Sequence, residues 1–280
     1  MSLLNQHSIN RKSKKTVEGL ITTFNLGDAQ QTILEANKVL QAHPEEVVAW
    51  SIMGASLSSL GKLDGAVKCF KQVVQLNPNN PEGFNNLGEV LRAIGQIDEA
   101  LQAFEKAISL KPDFAIALQN IGLTYQQLGE EEKSIYFLEK AAELNPSLIN
   151  CLLNLGNLYQ RGGHTEKAEK LLKSAISYKP DFTEAVVSLA RLFTSQSKYD
   201  SAIEVYEKYL QEKPFDSNIY NSLGVLYADS GGTWKAIEAF HKAITVDPKN
   251  FNAHNNMGNA FKTLDKQTEA LGCFVKSYEA

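Results

Sequence analysis

Large apolar residues return along this chain at a fixed spacing of 34 positions. In each stretch a large residue is followed after three, four and seven positions by an apolar, a small and a second large residue, as at Trp50, Met53, Gly54 and Leu57. Offsets of three, four and seven lie on one face of a helix. Each stretch is therefore predicted to begin with an amphipathic helix.

A second helix is predicted in each stretch from a small residue and a large one four positions later, as at Ala66 and Phe70. A glycine usually stands between the two helices, where a left-handed turn carries no steric cost, and Ser197 and Asp265 are the exceptions. A proline closes the stretch because it cannot continue a helix. The prolines in register are Pro44, Pro78, Pro112, Pro146, Pro180, Pro214 and Pro248.

A period of this length indicates stacked repeats rather than one or two ordinary globular domains. We divide the 280 residues into a tail at 1–12, a degenerate capping repeat at 13–46, and seven repeats at 47–80, 81–114, 115–148, 149–182, 183–216, 217–250 and 251–280. The pattern of the seven repeats resembles the tetratricopeptide repeat. The resemblance implies an all-α, right-handed α-solenoid of about eight helix-turn-helix units, with the first helices lining a concave groove.

Charge and hydropathy narrow the choice of partners. The chain has 28 Lys and Arg against 32 Asp and Glu, and a net charge of -4 gives no general attraction to nucleic acid or anionic lipid. Apolar runs are far shorter than the roughly 20 residues that cross a bilayer, and the first residues contain no secretory segment. We therefore expect no nucleic acid, no membrane insertion and a cytoplasmic location.

No arrangement of residues in the sequence points to catalysis. The five histidines fall in different repeats, and neither metal-binding spacings nor a phosphate-binding loop is found. Cys69, Cys151 and Cys273 are odd in number and far apart, so we expect reduced, buried thiols. We predict no enzyme activity, no metal and no cofactor.

Candidate binding residues lie beside the buried face of the first helices. The second, sixth, ninth and thirteenth residues of each repeat share one helix face, called here the first-helix face. An Asn amide can donate to and accept from a peptide backbone. An extended peptide or partner protein is therefore predicted to bind Asn86, Asn120, Asn154, Asn157, Ser188, Ser222, Asn256, Asn259, Ile52, Leu123 and Arg161.

The sixth-residue column, with Asn at four of seven places, resembles the asparagine ladder in the tetratricopeptide arm of O-linked N-acetylglucosamine transferases. The alternative is that these amides only satisfy contacts between neighbouring helices. Two functions follow. The chain is a non-catalytic scaffold that binds a peptide or protein in its groove, or it is the N-terminal substrate-recognition arm of a larger glycosyltransferase or sulfotransferase.

Two further surfaces are candidates for contacts with a partner or with a second copy of the chain. Trp234 occupies a place that is polar in the other repeats, so it is either a contact for a partner or is packed onto the neighbouring turn. The second helix of the last repeat carries Leu271 and Tyr278. We expect these side chains to be uncovered, which would allow self-association through the C-terminal edge.

Overall fold

The computed structural model describes residues 16–279, and within this range only helices and short turns occur. The helices are α1 (16–25 as described), α2 (Ala29–Ala42), α3 (Val47–Ser59), α4 (Leu63–Leu76), α5 (Pro81–Ala93), α6 (Ile97–Leu110), α7 (Ala115–Gln127), α8 (Glu131–Leu144), α9 (Ile149–Arg161), α10 (Thr165–Tyr178), α11 (Thr183–Ser195), α12 (Tyr199–Glu212), α13 (Ser217–Asp229), α14 (Thr233–Val246), α15 (Phe251–Thr263) and α16 (Gln267–Glu279). The predicted tail at 1–12 and the first residues of the capping repeat lie outside the described range.

The described residues form two compact bodies, an N-terminal body at 16–144 and a C-terminal body at 145–279. In both bodies the two helices of each repeat pack against each other, and the second helix also packs against the first helix of the next repeat. This arrangement is that of an α-solenoid built from helix-turn-helix repeats, as predicted.

The small residue of the first helix allows the two helices of a repeat to approach closely. A Cβ atom placed on Gly88 would lie 2.6 Å from Cε1 of Phe104, and one on Gly224 would lie 2.5 Å from Cε1 of Phe240. Both phenylalanine rings are fully buried. Glycine therefore leaves the space that the phenylalanine ring occupies in the core. The recurring small residue of the first helix and the large residue of the second helix are complementary in size.

The turns between paired helices adopt the predicted left-handed conformation. Positive φ angles are found at Gly27, Gly61, Gly95, Gly129, Gly163 and Gly231. The two exceptions noted in the sequence take the same conformation without glycine, with φ of 58° at Ser197 and 59° at Asp265. A side chain in this region costs about 1–2 kcal/mol.

Replacing Ser197 by glycine is therefore expected to stabilise the C-terminal body by about 0.5–1 kcal/mol, because relief of strain exceeds the added freedom of the unfolded chain. Urea denaturation followed by circular dichroism measures this. The control is Ser195→Gly in the last turn of α11, which removes a helical side chain and is expected to destabilise by about 0.5–1 kcal/mol. Equal effects of the two variants would contradict the argument.

Candidate peptide-binding surfaces

The N-terminal body brings Asn120 into a network of amides and a carboxylate rather than leaving it open. Its Nδ2 atom donates to Oδ1 of Asn85 at 2.9 Å and to Oε1 of Glu89 at 2.7 Å. Nδ2 of Asn85 donates to the same Glu89 oxygen at 3.1 Å. Because both amide hydrogens of Asn120 are used and the residue is 5% exposed, its main contribution is to join α5 to α7.

The C-terminal body repeats this pairing at Asn256. Its Nδ2 atom donates to Oδ1 of Asn221 at 3.0 Å, which joins α15 to α13. Asn154 donates to the carbonyl of Asn150 in its own helix at 2.7 Å. A donor of three of the four column asparagines is thus engaged within the protein, and in two of them, Asn120 and Asn256, the bond joins neighbouring first helices.

The remaining predicted residues differ in how much surface they offer. Ile52 is 8% exposed and packs in a core cluster with Leu20 and Val39, so it adds little to the first-helix face. Ser188 is also buried. Ser222 is half-buried, and its hydroxyl donates to the carbonyl of Asn218. Asn86, Leu123 and Asn157 are half-buried, and Asn259 and Arg161 are exposed.

A recess of about 500 Å³ opens between α3 and α5 in the N-terminal body. Small side chains on α3 leave this space, and a carboxylate, an amide and a guanidinium from α5 border it. Nε of Arg92 is buried there and has no hydrogen-bond partner among the described residues. The recess is lined by Ala55, Ser58, Ser59, Phe70, Asn86, Glu89, Val90 and Arg92.

Sequence reasoning identified Asn86 in this recess but missed Glu89 and Arg92. The signal for Glu89 was present, because it is the acidic member of the ninth-residue column between Ala55 and Leu123. Arg92 belongs to the twelfth-residue column, outside the predicted face. Its side chain reaches the recess because the facing residues of α3, Ser58 and Ser59, are small.

Trp234 is packed in part onto the neighbouring turn, which is one of the two arrangements considered for it. Its side chain is 60% exposed, and Nζ of Lys266, from the turn of the next repeat, lies 5.2 Å from the centre of the indole ring. The neighbouring turn therefore covers part of the ring through a cation–π contact. The rest of the indole ring is exposed, and the predicted contact with a partner stays a prediction.

The C-terminal edge is apolar and uncovered in the described structure. Leu271 is 64% exposed, Val275 48% and Tyr278 95%. The uncovered side chains expected on α16 are therefore present. Self-association through them stays a prediction.

The cysteines are buried and form no disulfide. Burial raises the pKa of Cys69 to about 11 and that of Cys151 to about 12, and it also raises the pKa of Cys273. Thiols with raised pKa values are poor nucleophiles at neutral pH. Within residues 16–279, no three His, Cys, Asp or Glu side chains are grouped as metal ligands. None of the described helices is both long and apolar enough to span a bilayer.

Comparison with solved structures supports the fold. Chains similar to this one include one from the Cut9–Hcn1 hetero-tetramer of APC/C (18% identity, TM-score 0.62, 86% of this chain and 48% of that one). PilF of Pseudomonas aeruginosa is similar at 16% identity and a TM-score of 0.64, over 73% of this chain and 93% of that one. YrrB, described as a TPR protein with an unusual peptide-binding site, is similar at 21% identity and a TM-score of 0.54, over 67% of this chain and 96% of that one.

The chain thus spans about half the length of the first of these proteins. A search of curated proteins found no match. Three family models match the sequence: TPR repeat at 54–94, 88–129 and 234–265, and two models of the tetratricopeptide repeat at 113–181 and 153–217. Together they reach over more than half of the chain. This protein belongs to the tetratricopeptide-repeat family, whose members are typically scaffolds for protein–protein interaction.

Proposed function

We propose that this protein is a non-catalytic scaffold that binds an extended polypeptide segment on its first-helix faces. The family supports a role in protein–protein interaction, and YrrB is a similar protein described as having a peptide-binding site. The buried cysteines with raised pKa values support the absence of thiol catalysis. The transferase-arm alternative rests on the sequence resemblance alone.

The recess between α3 and α5 is the observation that carries this proposal. An extended peptide presents an N–H donor and a C=O acceptor at nearly every residue. Glu89 uses Oε1 within the protein and leaves Oε2 to accept from a ligand, while Asn86 and Arg92 supply donors. Phe70 and Val90 line the same space, which has room for one apolar ligand side chain.

Exposed apolar side chains extend this surface in the N-terminal body. Val48 is 40% exposed and Ile116 44%, and both lie on the first-helix face. The C-terminal body offers a more polar first-helix face with Asn154, Asn157, Asn259 and Arg161. We infer that the N-terminal body anchors apolar ligand side chains and that the C-terminal body pairs mainly with ligand backbone.

The test begins with capture of a partner on the full chain and mapping of the bound segment by cross-linking and mass spectrometry. A synthetic peptide of that segment is then titrated calorimetrically into wild type, Arg92→Met and Lys106→Met. Hydrogen bonds from charged donors contribute about 1.5–3 kcal/mol, so Arg92→Met is expected to weaken binding about 10-fold or more. Lys106 is exposed on α6, outside the recess, and is the control.

Two results would count against the proposal. One is that Arg92→Met, folded as judged by circular dichroism, binds the peptide as tightly as wild type does. The other is that Lys106→Met weakens binding as much as Arg92→Met does, since the effect would then reflect overall charge rather than the recess.

A further inference from the structure

The guanidinium of Arg92 has no partner in the recess between α3 and α5. Its Nε atom is buried without a hydrogen-bond partner, and no ion pair or side-chain hydrogen bond of residues 16–279 includes this group. The residue is half-buried in the last turn of α5. Taking a charge out of water without pairing it is costly. A half-buried, unpaired guanidinium therefore indicates that an anion of a ligand completes this site.

The carboxylate of Glu89 does not supply this anion. Glu89 stands three residues before Arg92 in α5, a spacing at which ion pairs form on a helix. Its Oε1 atom instead accepts from Asn85 at 3.1 Å and from Asn120 at 2.7 Å. The two amides hold the carboxylate toward α7, whereas the recess lies on the α3 side of α5. The charge of Arg92 is therefore available to a ligand.

Two further donors border the recess beside Arg92. The hydroxyl of Ser58, in the last turn of α3, takes part in no hydrogen bond of residues 16–279. Asn86 accepts from Asn85 through Oδ1 and keeps its Nδ2 hydrogens for a ligand. A hydroxyl, an amide and a guanidinium can all donate to one carboxylate.

The ends of α3 and α5 lie beside the recess and do not cancel this preference. Carbonyl groups at the end of a helix carry partial negative charge. After α3, the carbonyls of Leu57 and Ser58 accept from backbone amides of the following turn. After α5, those of Leu91 and Arg92 do the same. What remains of the helix-end effect is smaller than a hydrogen bond to a guanidinium.

The surroundings of the recess favour an internal residue of a polypeptide. Phe70 and Val90 line its apolar part, which has room for a side chain next to the acidic one. The first-helix face of the N-terminal body continues on both sides of α5, with Val48 on α3 and Ile116 on α7 exposed. A bound segment can therefore cross the recess rather than end in it.

We propose that the recess binds the carboxylate of an acidic side chain, Glu or Asp, within the partner segment and next to an apolar residue. This inference rests on the proposed function and adds to it the class of residue that the recess selects. The carboxylate accepts from the terminal nitrogens of Arg92 and from the Ser58 hydroxyl, and the apolar residue contacts Phe70 and Val90. Arg92 thereby determines specificity for sequence, beyond pairing with a ligand backbone.

The probes are acetyl-Leu-Glu-Leu-amide, acetyl-Leu-Gln-Leu-amide and acetyl-Leu-Leu-Leu with a free carboxyl end, titrated into the isotope-labelled full chain. The NMR signal of the Arg92 Nε–Hε group, assigned by its loss in Arg92→Gln, reports binding. We expect the Glu peptide to shift this signal saturably and to bind about 5-fold or more tightly than the Gln peptide, because hydrogen bonds to charged groups are stronger than neutral ones.

Three results of these titrations would overturn the proposal. One is an Arg92 signal that does not move at about 5 mM Glu peptide, a concentration that detects even millimolar binding. Another is equal affinity for the Glu and Gln peptides. The third is tighter binding of the free-acid peptide, since the recess would then select the end of a chain and not a side chain.

Two arginine variants locate the site. Arg92→Gln is expected to bind the Glu and Gln peptides with equal affinity, as measured by backbone amide shifts. Arg191→Gln is the control, because Arg191 is exposed on the first-helix face of the C-terminal body, and it is expected to keep the preference for Glu. A preference that survives Arg92→Gln, or that Arg191→Gln abolishes, would overturn the proposal. If Arg92→Gln does not fold, Ser58→Ala replaces it and must weaken the Glu peptide about 2- to 10-fold.

The captured partner segment separates failure of this inference from failure of the proposed function. If Arg92→Met weakens binding of the mapped segment but the Glu and Gln tripeptides bind equally, Arg92 meets the backbone of the segment. The proposed function then stands and the carboxylate site does not. Arg92→Met without effect on the mapped segment contradicts the proposed function, whatever the tripeptides show.

Discussion

Replacing Gly88 by alanine is expected to lower the free energy of unfolding of the N-terminal body by about 1–2 kcal/mol. Overpacking a core costs about 1–3 kcal/mol, and the better helix propensity of alanine returns up to about 1 kcal/mol. The new Cβ would lie 2.6 Å from Cε1 of Phe104, whose ring is fully buried and cannot turn away into solvent. The midpoint of urea denaturation, followed by far-ultraviolet circular dichroism, measures the loss.

Gly19→Ala is the matched control for this prediction. Gly19 lies in α1 of the same body, is exposed, and has no atom within 4 Å of an added Cβ. Alanine is therefore expected to stabilise by up to about 1 kcal/mol there. If both glycine variants shift the midpoint in the same direction, close approach of the helices is not what requires glycine at position 88.

The elements of the fold could be predicted because each depends on residues close together in the sequence. The turn at Gly61 needs one residue with a positive φ, and the pair formed by Gly88 and Phe104 lies within one repeat. Such features return every 34 residues, so a single sequence already shows them many times over. Even Ser197, which departs from glycine, adopts the turn that its place in the repeat requires.

The pairing of the asparagines could not be predicted in the same way. Asn120 contacts Asn85, and Asn256 contacts Asn221, each across 35 residues and between different columns. Which columns meet depends on the rotation of one first helix against the next, and helix periodicity within a repeat does not specify it. The sequence does contain a signal for this pairing. In both pairs an Asn at the fifth residue of one repeat contacts an Asn at the sixth residue of the next repeat.

The recess in the N-terminal body follows from what one repeat lacks. The recess between α3 and α5 exists because Ala55, Ser58 and Ser59 are small. A pattern shared by all repeats describes the average repeat. It does not show where a single repeat has an unusually small residue. Places where one repeat carries a smaller residue than its column are therefore where binding sites of this chain are to be sought.

Asn120→Ala is expected to lower the free energy of unfolding of the N-terminal body by about 1–3 kcal/mol. The substitution removes the donor shared by Asn85 and Glu89, and a buried acceptor left without its partner costs about that much. Asn85 is 4% exposed, so water cannot readily replace the lost amide. Urea denaturation again supplies the measurement.

Asn86→Ala separates this structural effect from ligand binding. Asn86 is half-buried beside the recess, and its single contact with the network is a 3.5 Å bond that it accepts from Asn85. Its removal is expected to change stability by less than about 0.5 kcal/mol and to weaken binding of the mapped partner peptide. Asn120→Ala is expected to lower stability and to leave peptide binding largely unchanged while the protein remains folded. Any weakening of peptide binding would come through Glu89, which Asn120 contacts. If Asn120→Ala left stability unchanged, the amide network would not hold α5 against α7, and Asn120 would return to the set of candidate ligand contacts.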